Sequence, residues 1–424
     1  MKSRKLIKYI EQDLANRWIS VILGPRQVGK TTLLKQLHKK TGGLFLDLDI
    51  YSNFEKVSTY ENFLVTLELN SYKKDQKGFF YVYLDEFQRY ADLTKVLKNI
   101  YDHHENIKIL ITGSSSLTIK NRIQESLAGR KRVFEMYPLS FEEFLDFKDR
   151  SDLLEVLKNT RTMHQVSNLM TLAPELYAQL EEFMIYGGYP RVVLSSKVEK
   201  KLVLESIFDS YIKKDLVDYL KLEKISNAKT LMELLAVNHG SITNYNNYAS
   251  VAGIDAVTVK NYIEILNETF ITMNLRPFFK NKNKEISKNP KVYFIDNGAR
   301  NYFVNNFNSM DIRDDAAFLF ESFVVSEFLK SGLSADSLKF YRTYTKVEVD
   351  LIIDLIHKQI PVEIKYKANC KKKDFSGLIQ FIKEYNSDEA YMINLGQIGE
   401  VDMVVNYPQI EYLSCFSVLK FVDH

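Results

Sequence analysis

The sequence of 424 residues predicts the α/β fold class and more than one domain. Three observations lead to this prediction. The glycine-rich segment "GPRQVGKTTLLKQL" follows the apolar run "WISVIL", as in a strand, loop and helix. The apolar run in "GFFYVYLDEFQRY" ends in two acidic residues. Near the C-terminus the pattern changes from helix to three strands, then to a helix and a strand. Such alternation indicates sheets that are covered by helices.

Composition narrows the class of protein only a little. The formal net charge is +3, which neither favours nor excludes nucleic acid as a partner. Two cysteines, Cys370 and Cys415, cannot form a disulfide framework or a zinc cluster. The N-terminus lacks the apolar core of a signal peptide, and no apolar run approaches the ~20 residues that span a bilayer. We therefore expect a cytoplasmic protein with no membrane partner.

The glycine-rich segment is expected to bind phosphate. The pattern G-x-x-x-x-G-K-S/T extends from Gly24 to Thr31, between a predicted strand and a predicted helix. Backbone N–H groups of such a loop and the helix N-terminus attract phosphate oxygens. Lys30 would reach the β- and γ-phosphates, and Thr31 would ligate magnesium. The predicted nucleotide-binding residues are Gly24, Pro25, Arg26, Gln27, Val28, Gly29, Lys30, Thr31 and Thr32.

Two further strands are predicted to contribute to the same edge of the sheet. A parallel strand that is buried on both faces ends where ligands bind. Asp85 would there hold magnesium through water, and Glu86 would polarise the attacking water. The strand in "IKILITGSSSL" ends in a polar run, so that Ser114 or a neighbouring serine could sense the γ-phosphate. The alternative is a strand that ends in two acidic residues by chance.

Five segments together resemble the archaeal-type AAA ATPases of prokaryotes, which are P-loop proteins. They are "GPRQVGKTTL", "YLDEFQR", "ILITGSSS", "LAGRKRVFEMYPLSFEEFL" and "YGGYPRVVL", and they extend the resemblance over essentially the whole chain. The resemblance implies ATP and Mg²⁺ as cofactors, ATP hydrolysis, and a homo-oligomer as one form of assembly. It also implies that Arg130 is a γ-phosphate or arginine-finger residue. Arg132 competes for that role, and pairing of either arginine with a surface carboxylate is the alternative.

The resemblance divides the chain into four parts. Residues 1–139 would form the P-loop ATPase core, with an AAA-like parallel sheet. Residues 140–224, which include "FEEFLDF", "DLLEVLKN" and "LYAQLEEFMIYGG", have a helical pattern and match a helical lid. Residues 225–290 would form a winged-helix domain, and residues 291–424 a restriction-endonuclease-like α/β domain.

The winged-helix prediction depends on three short helices followed by a β-rich tail. The segment "YASVAGIDAVTVKNYIEIL" is typical of a helix–turn–helix, and "FITMNLRPFFKNKNKE" would be the wing. Residues that would permit contact with DNA phosphates are Lys260, Asn261, Lys280, Lys282 and Lys284. Winged helices also dock proteins, and Glu264 lies on the predicted recognition helix. DNA and a protein are therefore both open as partners.

The C-terminal segment predicts a second chemical site. Asp350 opens one strand of a hairpin, and Glu363 and Lys365 lie two apart on the next strand, so they share a face. Two carboxylates can hold a hard divalent cation such as Mg²⁺. A nearby lysine can position the attacking water. Glu321, on the preceding helix, is a further candidate ligand.

This arrangement resembles the PD-(D/E)xK nuclease core that commonly ends ATPases of this family. The proline of the motif is absent, since Val349 precedes Asp350. An ordinary solvated strand face is the alternative for the E-x-K pattern. The lysines that would track a DNA backbone beside it are Lys367, Lys371, Lys372 and Lys373.

The sequence therefore predicts an ATPase coupled to DNA binding or to metal-dependent DNA cleavage. The alternative function is a non-nucleolytic switch, in which the ATP state sets assembly and the C-terminal parts dock a protein partner.

Overall fold

The computed structural model describes residues 2–90, 92–114, 125–159, 166–213, 225–355, 357–396, 399–401, 406–407 and 409–415. The chain forms two compact units. The first unit takes in Met1–Pro138, Asp209–Leu222 and Glu268–Phe270. The second takes in Leu139–Phe208, Glu223–Asn267 and Ile271–His424.

The first unit is a parallel sheet with helices. Its described elements are α1 (Leu6–Asp13), β1 (Ile19–Gly24), α2 (Lys30–Thr41), β2 (Leu44–Asp47), α3 (Tyr51–Glu55), α4 (Tyr60–Leu69), β3 (Phe80–Asp85), α5 (Leu93–His103), β4 (Ile107–Ser114) and β5 (Lys131–Glu135). The strand order is β2-β3-β4-β1-β5, and every neighbouring pair is parallel. The strands predicted in "WISVILG", "GFFYVYLDEFQRY" and "IKILITGSSSL" are confirmed as β1, β3 and β4.

Burial explains why β1 lies inside this sheet, between β4 and β5. All six of its residues are buried, as expected for a strand that is covered on both faces. The strand ends at Gly24, where a Cβ atom would collide with the carbonyl oxygen of Met136. Gly29 has φ +99°, a left-handed conformation that suits glycine, and α2 begins at the next residue. The loop between β1 and α2 thus lies at the carboxyl edge of the sheet.

The second unit combines helices with a mixed sheet. Its helices are α6 (Phe141–Phe147), α7 (Ser151–Asn159), α8 (Val166–Tyr186), α9 (Pro190–Leu194), α10 (Lys200–Tyr211), α11 (Ile225–Val237), α12 (Tyr245–Ala252), α13 (Ala256–Glu268), α14 (Lys282–Ser287), α15 (Asn297–Val304), α16 (Ala316–Lys330) and α17 (Ser376–Tyr385). The last turn of α10 falls within the residues of the first unit.

The strands of the second unit are β6 (Thr272–Pro277), β7 (Lys291–Phe294), β8 (Leu338–Arg342), β9 (Glu348–Leu355), β10 (Lys358–Ile364), β11 (Ala390–Asn394), β12 (Gly399–Glu400) and β13 (Ile410–Ser414). Their order is β12-β13-β11-β10-β9-β8-β6-β7. The predicted succession of helix, three strands, helix and strand is confirmed as α16, β8, β9, β10, α17 and β11. Strands β9 and β10 form the predicted antiparallel hairpin.

Where the structure describes it, the predicted lid consists of helices α6 to α10 joined by short connections, and α6 and α8 pack within the second unit. Phe183 of α8 makes ring contacts with Phe141 of α6 and Phe323 of α16. The Glu327 carboxylate accepts a hydrogen bond of 2.9 Å from the Phe141 N–H. The apolar faces of α6 and α8 are thus buried against α16. The lid role and the four domain boundaries stay predictions.

The three predicted helices of residues 225–290 are present as α11, α12 and α13. A turn with Gly253 at φ +67° ends α12, and α13 follows. Strand β6 pairs antiparallel with β7 and parallel with β8, so both strands belong to the large sheet of the second unit. The predicted wing segment forms β6 and the short helix α14.

The "YGGYP" segment owes its glycines to a buried carboxylate. Asp296 accepts hydrogen bonds from the N–H groups of Gly188 at 2.6 Å and Ala299 at 3.1 Å. Gly187 has φ +75°, and a Cβ atom there would collide with the Asp296 carboxylate. These contacts join the end of α8 to the start of α15. No helix in the described part of the chain is both long and apolar enough to cross a membrane.

Candidate functional site

The loop from Gly24 to Gly29 holds its lysine by backbone oxygens. Lys30 Nζ donates to the carbonyl oxygens of Gly24 at 2.9 Å and Pro25 at 2.8 Å. The lysine is only 6% exposed. The side chain of Lys30 is thus held against the loop, at the N-terminus of α2. Thr31 and Thr32, which follow, are the first residues of that helix to face partly outward.

Two acidic residues lie at the same edge of the sheet. Asp85 ends β3, is 1% exposed, and accepts a short hydrogen bond from the Thr112 hydroxyl of β4. Glu86 follows in a left-handed conformation with φ +56°, and its carboxylate accepts from the Gln88 side chain. The register pairs Ile22 of β1 with Thr112. The Asp85 carboxylate is therefore fixed one strand away from β1, close to the start of the loop.

Ser114 pairs with Gly24 in the register of β4 and β1, so its backbone lies at this edge as well. Its side chain and the serines that follow lie outside the described residues. The γ-phosphate role of Ser114 therefore stays a prediction.

Two contacts at this edge were not expected from the sequence. Arg4 is 8% exposed and donates to the carbonyl oxygen of Val28 at 2.7 Å and to that of Tyr137 at 2.8 Å. It thereby ties the middle of the loop to the chain beyond β5. Thr112, the partner of Asp85, was also missed. A threonine within the apolar run "ILIT" was the available signal for Thr112, whereas no local pattern points to Arg4.

Arg130 and Arg132 lie at the opposite edge of this sheet. The carbonyl oxygen of Arg130 accepts from the N–H of Ile19, the first residue of β1. The length of β1, roughly 17 Å at 3.3 Å per residue, separates that point from Gly24. The Arg130 backbone therefore lies far from the loop of its own chain, and its role at a nucleotide stays a prediction.

Arg130 makes the pair with a surface carboxylate that was the alternative expectation, whereas Arg132 lies beside a buried one. Arg130 binds Asp102 with two hydrogen bonds of 2.7 and 3.0 Å. The Arg130 hydrogen bonds hold the pKa of the Asp102 carboxyl below its usual value. Arg132 lies 3.4 Å from the buried Asp13, whose carboxylate also binds Lys108 at 2.9 Å.

In the second unit the β9–β10 hairpin brings Asp350, Glu363 and Lys365 together. Lys365 Nζ lies 2.5 Å from Glu363 Oε1 and 3.2 Å from Asp350 Oδ2. The Ile364 N–H donates to the same Asp350 oxygen at 2.9 Å. Three residues that the sequence singled out thus form one cluster, and their chemical roles stay predictions.

Glu321 joins the cluster from α16 through residues that were not predicted. Lys291 Nζ of β7 lies 3.7 Å from Glu321 Oε1 and 2.6 Å from Glu348 Oε1. The Tyr293 hydroxyl donates to Glu321. Lys291 and Tyr293 lie two apart on one strand, and so do Glu348 and Asp350 on β9. The period of two could therefore have found Glu348 from Asp350, whereas no predicted residue of β7 points to Lys291 or Tyr293.

Burial dominates the electrostatics of the cluster. It raises the pKa of Glu321 to about 7, against the opposing charge of Lys291 and with a further upward effect of Asp350. Burial also raises the pKa of Glu363 well above its usual range, and the charge of Asp350 adds to the shift. Burial acts to lower the pKa of Lys291, but the carboxylates of Glu321 and Glu348 outweigh it, so the net shift is upward.

The donor chemistry of the cluster fits a hard divalent cation. Carboxylate oxygens are the preferred ligands of Mg²⁺. Glu363 Oε2 is buried and has no hydrogen-bond partner among the described residues. However, within that same part of the chain no three His, Cys, Asp or Glu side chains converge as a metal site requires. The ammonium groups of Lys291 and Lys365 contact the carboxylates instead.

The lysines predicted to meet DNA are at the surface, and several already have partners. Lys260 lies 5.0 Å from the centre of the Tyr245 ring, and Lys282 pairs with Glu285 and Asp354 at 3.2 and 3.3 Å. Lys280 lies 5.1 Å from the ring centre of Tyr385. The remaining predicted contacts that are exposed are Asn261, Lys284, Lys371, Lys372 and Lys373, while Lys367 pairs with Asp374. Glu264 of α13 is exposed as well.

Comparison with known proteins supports an AAA-like ATPase domain in the first unit. Residues 16–145 match a family model described as an AAA domain. Residues 177–310 and 316–410 match two further models, each described as a domain of unknown function (DUF8612 and DUF4143). The AAA-like part of the expectation is thus supported, while the winged helix and the nuclease-like domain stay predictions.

Relatives match over most of the chain. An uncharacterized protein of Methanocaldococcus jannaschii is 29% identical over 401 residues, which are 91% of this chain and 84% of the relative. An uncharacterized protein of Haemophilus influenzae is 25% identical over 377 residues, 85% and 86% of the two chains. Among solved structures, a Walker-type ATPase of Pyrococcus abyssi is similar with a TM-score of 0.46 and 15% identity, covering 72% of this chain and 96% of that one.

Proposed function

We propose that the first unit binds ATP with Mg²⁺ and hydrolyses it. One observation carries this proposal: the Lys30 loop, the buried Asp85 and the adjacent Glu86 lie at a single edge of a parallel sheet. Ligands of α/β sheets bind at that edge. The match to an AAA domain over residues 16–145 is consistent with it.

The residues have distinct parts in this reaction. The phosphates would replace the Gly24 and Pro25 carbonyl oxygens as partners of Lys30, because an anion attracts the ammonium group more strongly. Thr31 and Asp85 would hold Mg²⁺, which neutralises phosphate charge when bound. Glu86 would orient and polarise the attacking water. The Gln88 side chain, which donates a hydrogen bond to the Glu86 carboxylate, would have to release this carboxylate or share it with the water.

ATP binding and hydrolysis by purified variants test the proposal. Lys30→Ala should abolish tight ATP binding, and Glu86→Gln should keep binding while hydrolysis falls by about 10²–10⁴-fold. Lys35→Ala, which removes an exposed lysine from the same helix, is the matched control and should leave both unchanged. Wild-type turnover in Glu86→Gln would remove Glu86 from the reaction. Unchanged ATP affinity in Lys30→Ala would refute the nucleotide site.

A second function is proposed for the second unit, namely metal-dependent cleavage of DNA under control of the ATP state. The convergence of Asp350, Glu363 and Lys365 favours it. Glu321, Asp350 and Glu363 would hold the divalent cation, and Lys365 would position water. Control by ATP requires that ATP favour one domain arrangement over another. Helix α13 would contact DNA through Lys260 and Asn261.

Nicking of plasmid DNA in Mg²⁺, with ATP, ADP or a slowly hydrolysed analogue, tests this second function. Cleavage should disappear in Asp350→Ala and in Glu363→Ala, while both variants still hydrolyse ATP. DNA binding should weaken as salt is added, because lysine–phosphate contacts release counterions. Protein that neither binds nor cuts DNA in any nucleotide state would leave the partner-docking switch as the function.

A further inference from the structure

The acidic cluster of the second unit already contains a cation that belongs to the protein. Lys291 Nζ lies 2.6 Å from Glu348 Oε1 and 3.7 Å from Glu321 Oε1, and the residue is only 4% exposed. Its ammonium group thus binds carboxylates that come from two different elements, β9 and α16. A second lysine, Lys365, binds Asp350 and Glu363 from β10.

The two lysines do not provide a hydrogen bond to every carboxylate oxygen of this cluster. Glu363 Oε2 is buried, and no donor in the described part of the chain reaches it. A buried carboxylate oxygen without a partner is costly, and a divalent cation would satisfy it. The cluster therefore has the ligand chemistry of a metal site, but its carboxylates contact the ammonium groups of Lys291 and Lys365.

The strand that carries Lys291 is buried and is hydrogen-bonded on both sides. Strand β7 is at the end of the eight-strand order, with β6 as its neighbour in the sheet. On its other side it meets the turn after α11: Gly240 N–H donates to the Val292 carbonyl oxygen at 3.0 Å, and Thr243 N–H to that of Pro290 at 2.9 Å. The turn that leads into α12 is thus hydrogen-bonded directly to the strand that bears the lysine.

We propose that Lys291 is a built-in cation that competes with a divalent metal for Glu321, one of the three carboxylates proposed above to hold that metal, and so lowers the metal affinity of this site. The proposal rests on the proposed metal role of the cluster. It predicts that the charge of Lys291, and not its size, sets the metal affinity.

Binding of Mn²⁺ alone to the full chain, measured by calorimetry or by the electron paramagnetic resonance of free Mn²⁺, tests the proposal. Lys291→Met should bind Mn²⁺ at least about tenfold more tightly than wild type, because a competing charge within 4 Å is removed. Lys291→Arg keeps the charge and should bind like wild type. Lys339→Met is the matched control, since Lys339 is another buried lysine of the sheet that pairs with a carboxylate, Glu285.

The gain must also depend on the cluster. Adding Glu363→Gln to Lys291→Met should abolish the extra affinity. Equal Mn²⁺ affinity in folded Lys291→Met and wild type would overturn the proposal. If Lys291→Met does not fold, Mn²⁺ binding to the wild type can still test the proposal. Binding in the micromolar range that is lost in Asp350→Asn would overturn the proposal, because Lys291 would then not exclude the metal.

These outcomes are separate from those that test the two proposed functions. ATP hydrolysis in the first unit should be the same in Lys291→Met and wild type. Tight Mn²⁺ binding by Lys291→Met without any nicking of DNA would support the built-in cation and refute the nuclease role. Nicking by wild type that is no slower than that by Lys291→Met would overturn the built-in cation and support the nuclease.

Discussion

The two units bury a lysine to nearly the same degree but give it different partners. Lys30 in the first unit is 6% exposed and donates to two neutral carbonyl oxygens. Lys291 in the second unit is 4% exposed and binds two carboxylates. Exchanging these two carbonyl oxygens for phosphate would leave no charge behind on them, whereas removing the second ammonium would leave buried carboxylates uncompensated. The two lysines thus differ in the charge of their partners and not in burial. On this basis we expect Lys30 to be available to phosphate and Lys291 to take the place of a metal ion.

The largest expected effect concerns whether the first site is complete within one chain. Arg130 lies at the far edge of the sheet and pairs with Asp102. If a neighbouring copy supplies Arg130 to the nucleotide, Arg130→Ala should lower ATP turnover by about 10³-fold or more at high protein concentration. Turnover per wild-type chain should then rise with protein concentration.

Asp102→Ala is the control for Arg130, because it breaks the same ion pair and keeps the arginine. It should leave turnover near the wild-type value. Equal turnover in Arg130→Ala, Asp102→Ala and wild type would assign Arg130 to the ion pair alone and direct the search to Arg132.

A third buried lysine tests the rule that partners decide the cost of removal. Lys108 and Asp13 are fully buried and lie 2.9 Å apart, with Ser20 donating to the same carboxylate at 2.6 Å. Lys108→Met should lower the free energy of unfolding of the first unit by about 3–5 kcal/mol, since it leaves a buried charge. Hydrogen exchange of the β1 and β4 amides measures this, with exposed Lys35→Met as the control. A loss near that of Lys35→Met would contradict the rule.

The next effect is a pH dependence in the second unit. His239 Nδ1 accepts from the Phe294 N–H at 3.1 Å, and burial together with the charge of Arg300 lowers the pKa of His239 to about 3 from 6.5. Between these pH values the unfolded chain binds the extra proton, so stability is full above pH 6.5 and falls as pH decreases. The loss is about 1.4 kcal/mol per pH unit, or about 2 kcal/mol by pH 5.

Denaturant unfolding of wild type and His239→Gln between pH 7.5 and 5 checks this dependence. The free-energy difference between the two proteins should shrink as the pH is lowered, because the glutamine takes up no proton. His103→Gln, at an exposed histidine, should follow wild type throughout. Parallel curves for wild type and His239→Gln would mean that His239 does not stay neutral in the folded protein.

The features that could be predicted from the sequence are those that depend on residues close together in one strand, one loop or one hairpin. The glycine and lysine spacing of residues 24–31 identified the loop, and apolar runs that end in polar residues located β1, β3 and β4. Asp350, Glu363 and Lys365 were predicted together because a hairpin joins their strands. In each case the information lies within a few neighbouring residues.

Features that depend on contacts between distant segments were not predicted. Lys291 of β7 contacts Glu348 of β9, although β6 and β8 lie between these two strands in the sheet. The pairing of β5 with the start of β1 places Arg130 far from the loop, and strand register between distant segments cannot be read from residue patterns alone. Burial of the predicted lid helices within the second unit follows from ring contacts of Phe183 that no local pattern encodes.

The smallest expected effect is also the sharpest test of the comparison between the two lysines. Without nucleotide, Lys30→Met should change the free energy of unfolding of the first unit by only about 1 kcal/mol, since the methionine keeps the apolar stem and the two carbonyl oxygens that lose a donor carry no charge. With ATP at 100 times its dissociation constant, wild type should gain about 2.7 kcal/mol and Lys30→Met nothing. Hydrogen exchange of the β1 amides with and without ATP measures both quantities. A cost for Lys30→Met as large as that for Lys108→Met would show that Lys30 is a structural lysine, and the distinction between an available and an occupied ammonium would fail.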